Sequence, residues 1–183
     1  YDFVCEKLKD KNTYEVFEFP LVYGQSIYFI PNLNKLSKQD EISKYDFKLF
    51  DGNTNEINLS SGFENAITFE NDKCISDIAY CAYKDGRVIG VAGADKINDD
   101  IWEVGIEVLP EYRKDGLATI LTKNLTLKIL EKGIVPIWSA SVSNIGSQAV
   151  ATNSDYIPLW METFGDIFEE NYVFKDITKN IEI

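Results

Sequence analysis

Residues 101–133 read IWEVGIEVLPEYRKDGLATILTKNLTLKILEKG, and a change of period inside this stretch decides the fold. Trp102, Val104, Ile106 and Val108 alternate with Glu103, Gly105 and Glu107. That is the pattern of a strand with one apolar face, and it puts the two glutamates together on the opposite face. Pro110 ends the strand. From Gly116 to Lys132 the period becomes helical, with Ala118, Leu121, Leu125 and Ile129 on one stripe. Gly133 stands where a helix is commonly closed by a left-handed residue.

Working outward, residues 78–83 and 87–94 form two strand-like runs joined by the turn Lys84-Asp85-Gly86, which predicts a hairpin. Downstream, 135–142 reads as a further strand and 145–153 as a short helix, followed by the aromatic run YIPLW at 156–160. The stretch TFGDIFEENYVFKDI that comes after predicts a last strand or hairpin. The order strand, strand, strand, helix, strand, helix implies an α/β (α+β) chain with a mixed sheet covered by helices. Toward the N-terminus, 14–19 and 26–30 are strand-like, separated by Pro20 and Gly24 and closed by Pro31. Residues 35–61 are polar and contain the breaker string DGNTNE, so they read as a boundary or connecting loop. GFENAIT, at 62–68, reads as one short helix.

Composition narrows the chemistry. The 183 residues contain no histidine, which excludes a Ser-His-Asp triad, a Cys-His pair, His-ligated zinc and a histidine base. Proton transfer is left to carboxylates, Tyr, Lys, Cys or water. Cys5, Cys74 and Cys81 lack CxxC spacing, so neither a disulfide framework nor a metal site is expected, and reduced thiols are. A formal net charge of −12 weighs against a nucleic-acid backbone as partner and favours a cationic one. No run of about 18 apolar residues occurs, so neither a membrane partner nor a spanning helix is expected, and the expected compartment is the cytoplasm. The sequence begins at Tyr1 rather than Met, and the expectation is a fragment or a processed chain.

Between the strand and the long helix lies RKDGLA, residues 113–118. A strand feeding a glycine-containing turn into a helix N-terminus presents unpaired backbone N–H groups and the positive end of the helix dipole, which suits an anion. The string is neither a Walker A loop nor a GxGxxG turn. Taken alone, it fits equally a tight turn in which Gly116 only relieves the backbone.

In its setting, VLPEYRKDGLATIL resembles the acyl-CoA-binding segment of the GNAT superfamily of N-acetyltransferases, V-x-P-x-x-R-x-x-G-x-G/A. The hairpin containing VIGVAGA, the strand WEVGIEV and the downstream SVSNIGSQAVATNSDY follow in that superfamily's order, so that the similarity covers roughly residues 62–162. SVSNIGSQAVATNSDY and the trailing PLW look most like a bacterial branch that includes zwittermicin-resistance-type acetyltransferases. The resemblance implies a mostly antiparallel GNAT-like sheet flanked by helices. It divides the chain into 1–60, the remnant of an N-terminal lobe, and 61–183, an acetyl-CoA-binding catalytic domain.

The same resemblance implies acetyl-CoA as co-substrate, with its pyrophosphate on the backbone from Arg113 through Lys114, Asp115, Gly116 and Leu117 to Ala118. The pantetheine arm would pair near Val108 and Leu109, where the strand splays from the one starting near Val135. Asn144 and Ser147 would lie near the cofactor, although Asn144 serves equally as the cap of the second helix. Two positions depart from the family pattern. Asp115 puts a negative charge in the phosphate loop, and Ala151 fills the slot in which many members carry a tyrosine acid; Tyr156 is expected in the core instead.

The implied activity is transfer of an acetyl group to the primary amine of a small molecule, with a non-catalytic acyl-CoA-binding or regulatory module as the alternative. An amine with a pKa near 10.4 is about 3.4 units above pH 7, so presenting it neutral costs roughly 4 to 5 kcal/mol and calls for a base. Glu103 and Glu107 are the candidates, directly or through water, against the plainer reading of two solvated glutamates on an amphipathic strand. The tryptophans and most other aromatics read as core. The acidic excess suggests a cationic acceptor such as an aminosugar or polyamine, and the family resemblance a possible homodimer.

Overall fold

Strand β7 (Ile101–Val108) occupies the middle of a seven-stranded sheet ordered β2-β5-β6-β7-β8-β1-β9. Its partners are β1 (Pro20–Pro31), β2 (Asp46–Asp51), β5 (Ile78–Lys84), β6 (Arg87–Lys96), β8 (Val135–Ser141) and β9 (Tyr156–Ile167). A separate ribbon pairs β3 (Phe69–Glu70) with β4 (Lys73–Cys74), through Asn71 and Asp72 at positive φ, as a two-residue hairpin turn requires. Among the described residues two α-helices accompany the sheet, α1 (Leu117–Glu131) and α2 (Ile145–Asn153). The computed structural model describes residues 20–59 and 62–167; the strand expected at 14–19 lies outside them. The chain divides into two compact units, Ile27–Trp160 and a second formed by residues 1–26 and 161–183. In the second, Gln25 Nε2 donates to Thr163 Oγ1 at 3.3 Å.

β2, β5, β6 and β7 pair antiparallel in succession, whereas β7 and β8 run parallel. The mixed, mostly antiparallel sheet flanked by helices is the architecture the sequence implies. One sheet face meets α1: Leu117, Leu121, Leu125 and Ile129 are buried against Ala92, Val104 and Val108. Full burial of each such side chain contributes about 1.5–3 kcal/mol. Gly133, at φ +78, closes α1, with its N–H on Leu130 O (2.9 Å) and that of Ile134 on Ile129 O (3.4 Å).

The polar side of α1 is buried too, and its groups tie the helix to two other segments, one at 155–156 and one at 39. Thr126 Oγ1 meets Tyr156 Oη at 2.8 Å, Lys123 pairs with Asp155, and Asn124 exchanges two 3.1 Å hydrogen bonds with the backbone of Gln39. Tyr156 is a core residue as expected, and burial pushes its phenol above the ordinary range.

Two elements differ from the sequence pattern. DFKLFD forms β2 on the edge of the sheet inside the polar stretch 35–61. Residues 62–68 make a single turn, with the N–H groups of Ala66 and Ile67 both on Phe63 O, rather than a helix. They then cross the second sheet face so closely that a Cβ on Gly105 would sit 2.3 Å from Asn65 O. Only glycine fits beneath that crossing.

Candidate active site

β7 and β8 begin as a parallel pair, with Ile101, Trp102 and Glu103 opposite Val135, Pro136 and Ile137. No further pairs follow, although β7 continues to Val108 and β8 to Ser141. Beyond Glu103 the strands therefore part inside the sheet. Into this opening runs a cavity of about 970 Å³, bounded by β7, the loop after it, the first turn of α1, the start of α2 and the segment 64–68.

The backbone of the opening is set by alternation. Leu109 N donates to Ile89 O at 3.0 Å, so residue 109 faces β6 and, because backbone groups alternate along a strand, Val108 faces the other way. Arg113 Nε donates to the Val108 carbonyl at 2.8 Å. Val108 lines the cavity and Leu109 does not.

The loop after β7 carries the anion-binding features. Lys114 (φ +72) and Gly116 (φ +78) are both left-handed, on either side of Asp115, and Gly116 is the N-cap of α1. Among the described residues, the backbone N–H groups of Gly116, Leu117, Ala118 and Thr119 make no backbone hydrogen bond; the first beyond them to find a partner is that of Ile120, on Gly116 O at 3.2 Å, while Arg113 and Lys114 form a turn that the Asp115 N–H closes. Arg113, Lys114, Gly116, Leu117 and Ala118 line the cavity. Asp115 does not. Its Oδ2 accepts from Lys44 Nζ at 2.8 Å and Tyr45 Oη at 3.2 Å, and the Lys44 ammonium holds the carboxyl below its usual range.

Glu103 and Glu107 both line the cavity, in different company. Glu107 is 17% exposed and engaged on both oxygens, with Asn65 Nδ2 on Oε2 at 2.6 Å and Arg113 Nη2 3.7 Å from Oε1. Glu103 accepts from the Ser139 hydroxyl of β8, its one hydrogen bond among the described residues. It stands opposite Asp95 of β6 in the strand register, and Asp95 accepts from Thr68 Oγ1 at 2.8 Å. With Glu64, these carboxylates make the glutamate end of the cavity acidic, whereas the loop end carries Arg113 and Lys114.

Asn144 and Ser147 line the cavity from the first turn of α2. Asn144 Oδ1 accepts from Ser147 N at 3.0 Å and caps the helix, while Ser147 Oγ accepts from Trp138 Nε1, also at 3.0 Å. Ala151 is fully buried. The fold thus gathers ten of the twelve residues singled out in the sequence around one cavity, leaving out Leu109 and Asp115. Asn65, Thr68, Asp95 and Ser139 were not foreseen. Of these, only Asp95 had a visible signal, the alternation of VAGADK that places it on the face of Gly93. Among the described residues, no group of three His, Cys, Asp or Glu side chains could hold a metal ion, and no helix is long and apolar enough to cross a membrane.

No curated protein matches the chain. Among solved structures, a GNAT-family protein of Novosphingobium aromaticivorans is similar over 76% of this chain and 62% of its own, at 17% identity and a TM-score of 0.57. A GCN5-related N-acetyltransferase-like protein of Streptococcus suis covers 90% and 66%, at 17% identity and a TM-score of 0.53. An acetyltransferase from the GNAT family of Colwellia psychrerythraea covers 79% and 56%, at 15% identity and a TM-score of 0.57. The chain thus spans roughly six-tenths of these proteins' length. The GNAT acetyltransferase family model matches residues 5–157, and the chain belongs to that family.

Proposed function

We propose that this chain transfers an acetyl group from acetyl-CoA to the primary amine of a small molecule, by direct attack in a ternary complex. The observation that carries the proposal is the parting of β7 from β8 beside four unpartnered amides, Gly116 to Thr119, at the start of α1. A diphosphate fits those amides together with Arg113 and Lys114, since the dipole and unpaired donors of a helix N-terminus favour an anion. An extended pantetheine amide fits the edge of β7, where Val108 faces the gap. For its carbonyl to serve the ligand, Arg113 Nε must let it go. Asn144 and Ser147 border the same space while holding α2 in place.

Glu103 is the preferred base because Glu107 is already held by Asn65 and Arg113. In the reaction, the Glu103 carboxylate takes a proton from the ammonium group, directly or through water. The amine nitrogen then bonds to the acetyl carbon, the carbon–sulfur bond breaks with its electron pair leaving on sulfur, and the nitrogen passes its second proton to water or to the departing thiolate, leaving a neutral amide. A thiol pKa near 8.5 makes that thiolate a tolerable leaving group without an acid in the Ala151 slot. The acidic end of the cavity supports a cationic acceptor, and a metabolite co-substrate supports a cytoplasmic setting. The zwittermicin-resistance-like branch remains our proposal for the chain's place within the family, on the strength of residues 141–160, and residues 1–60 our proposed lobe remnant.

One observation favours a non-catalytic acyl-CoA-binding module instead, namely that Ala151 offers only a buried methyl group where a proton donor is common. A thermal shift tests the binding step. Acetyl-CoA at about 100 times its Kd adds about 2.7 kcal/mol, or about 5 to 10 °C for a chain of this size, and ATP adds nothing comparable. Thiol release in the presence of amines tests the transfer. Binding without release selects the module, and no shift with acetyl-CoA refutes both.

A further inference from the structure

Asp115 lies in the middle of the anion-binding loop, immediately before the free amides of the first turn of α1, with its carboxylate outside the cavity. An aspartate immediately before a helix N-cap has two ways to place its charge. It can turn inward onto the free amides of the first turn, as capping aspartates do, where it would compete with any anionic ligand. Alternatively, it can be held outward by a cation. In this fold the second arrangement is built: Lys44 Nζ and Tyr45 Oη converge on the same oxygen, Oδ2, at 2.8 and 3.2 Å.

The partners come from far along the chain, 71 and 70 residues before Asp115, just ahead of the edge strand β2. Tyr45 is itself buried and packs edge-on against Tyr112 at 6.1 Å, so the hydroxyl is fixed in the core beside the loop. The ion pair is solvent-exposed, at 57% and 45% of its two side chains, and an exposed pair contributes little to folding. Its value lies instead in where it keeps the charge.

We infer that Lys44 and Tyr45 are positioning residues for the phosphate loop, holding the Asp115 carboxylate away from the amides that would receive the cofactor's diphosphate. The inference rests on the acetyl-CoA reading above. Removing Lys44 releases a carboxylate that can occupy the amides itself or repel the ligand, and the expected loss of acetyl-CoA affinity is about tenfold at low ionic strength, shrinking at high salt.

The test is calorimetric titration of acetyl-CoA into the parent, Lys44→Ala, Lys44→Arg and the double variant Lys44→Ala/Asp115→Asn, with melting temperatures as a check on folding. The expected result is weakened binding in Lys44→Ala alone, near-parental affinity in Lys44→Arg, and recovery in the double variant. A merely structural role for Lys44 would not be rescued by neutralising Asp115. Lys44→Ala binding as tightly as the parent overturns the inference; so does a double variant as weak as Lys44→Ala, which would mean that Lys44 touches the ligand directly. Failure of the parent to bind acetyl-CoA overturns the cofactor reading, and this inference with it.

Discussion

Replacing Gly105 by alanine puts a methyl carbon 2.3 Å from Asn65 O and 3.0 Å from Ala66 Cα. An ordinary carbon–oxygen contact needs about 1 Å more than the first of these distances. Both neighbours are backbone atoms, so no rotamer change relieves the overlap, and the crossing segment must lift off the sheet. Forcing a methyl into a packed site costs about 1–3 kcal/mol. Against this, a strand glycine replaced by alanine loses less conformational entropy on folding, which returns about 0.4–1 kcal/mol. At the midpoints of these ranges the net is about 1.3 kcal/mol, which at about 2–4 °C per kcal/mol for a chain of this length lowers the melting temperature by about 3–5 °C. Circular dichroism during heating reads it directly. Gly93 stands opposite Gly105 in the register and would meet Ala66 O at 2.3 Å, so the same segment restrains both positions. Once it has lifted for one methyl, the second costs less, and Gly93→Ala/Gly105→Ala should destabilise by less than the sum of the single changes. A Gly105→Ala protein that melts at or above the parent temperature refutes the crossing.

Further outcomes follow from the site and the core. Glu103→Gln should lower turnover with amine acceptors about tenfold or more and Glu107→Gln by less; undiminished rates in both remove the base assignment. Asn144→Ala removes the cap of α2, costing about 0.5–2 kcal/mol and about 1–8 °C of melting temperature, whereas Asn144→Asp retains the acceptor; equal melting of Asn144→Ala and parent rejects the cap. Burial pushes the Cys81 thiol from its ordinary 9.0 up to about 12, so it should resist iodoacetamide at pH 8 in the native protein and react in urea, as read by peptide mass. Because the folded value is the higher one, its contribution to stability is complete below about pH 9 and declines as pH rises from 9 towards 12; rapid native alkylation of Cys81 would contradict the burial.

The parts of the fold written in one continuous pattern were legible. The alternation from Trp102 to Val108 and the helical period after Gly116 give β7 and α1 nearly to the residue, because each has one face against the core. β2 was not legible. Its hydrogen bonds run to β5 along one edge, and DFKLFD alternates too weakly to stand out beside DGNTNE. The turn at 62–68 was obscured for a different reason: its course is set by a close crossing over Gly93 and Gly105, which no local pattern in GFENAIT announces. The site divides the same way. Residues 103–118 come from one local run and could be placed together, whereas Asp95 and Ser139 reach Glu103 through strand register, and Asn65 reaches Glu107 through the crossing. Asp115 appeared as a flaw in the phosphate loop because Lys44 is distant in sequence.

The parting of β7 and β8 also makes the centre of the sheet its kinetically softest seam. On the β6 side, Ile101 at the start of β7 and Leu109 just past its end bond to residues 97 and 89, so the odd-numbered amides of β7 are locked. Those of Ile106 and Val108 point the other way, beyond the last pair with β8. Amide hydrogen exchange along this strand should then alternate with a period of two, slow and fast by turns, a signature normally confined to the outermost strand of a sheet. In this protein it would come from the middle, and a ligand that extends the pairing across the gap would erase it.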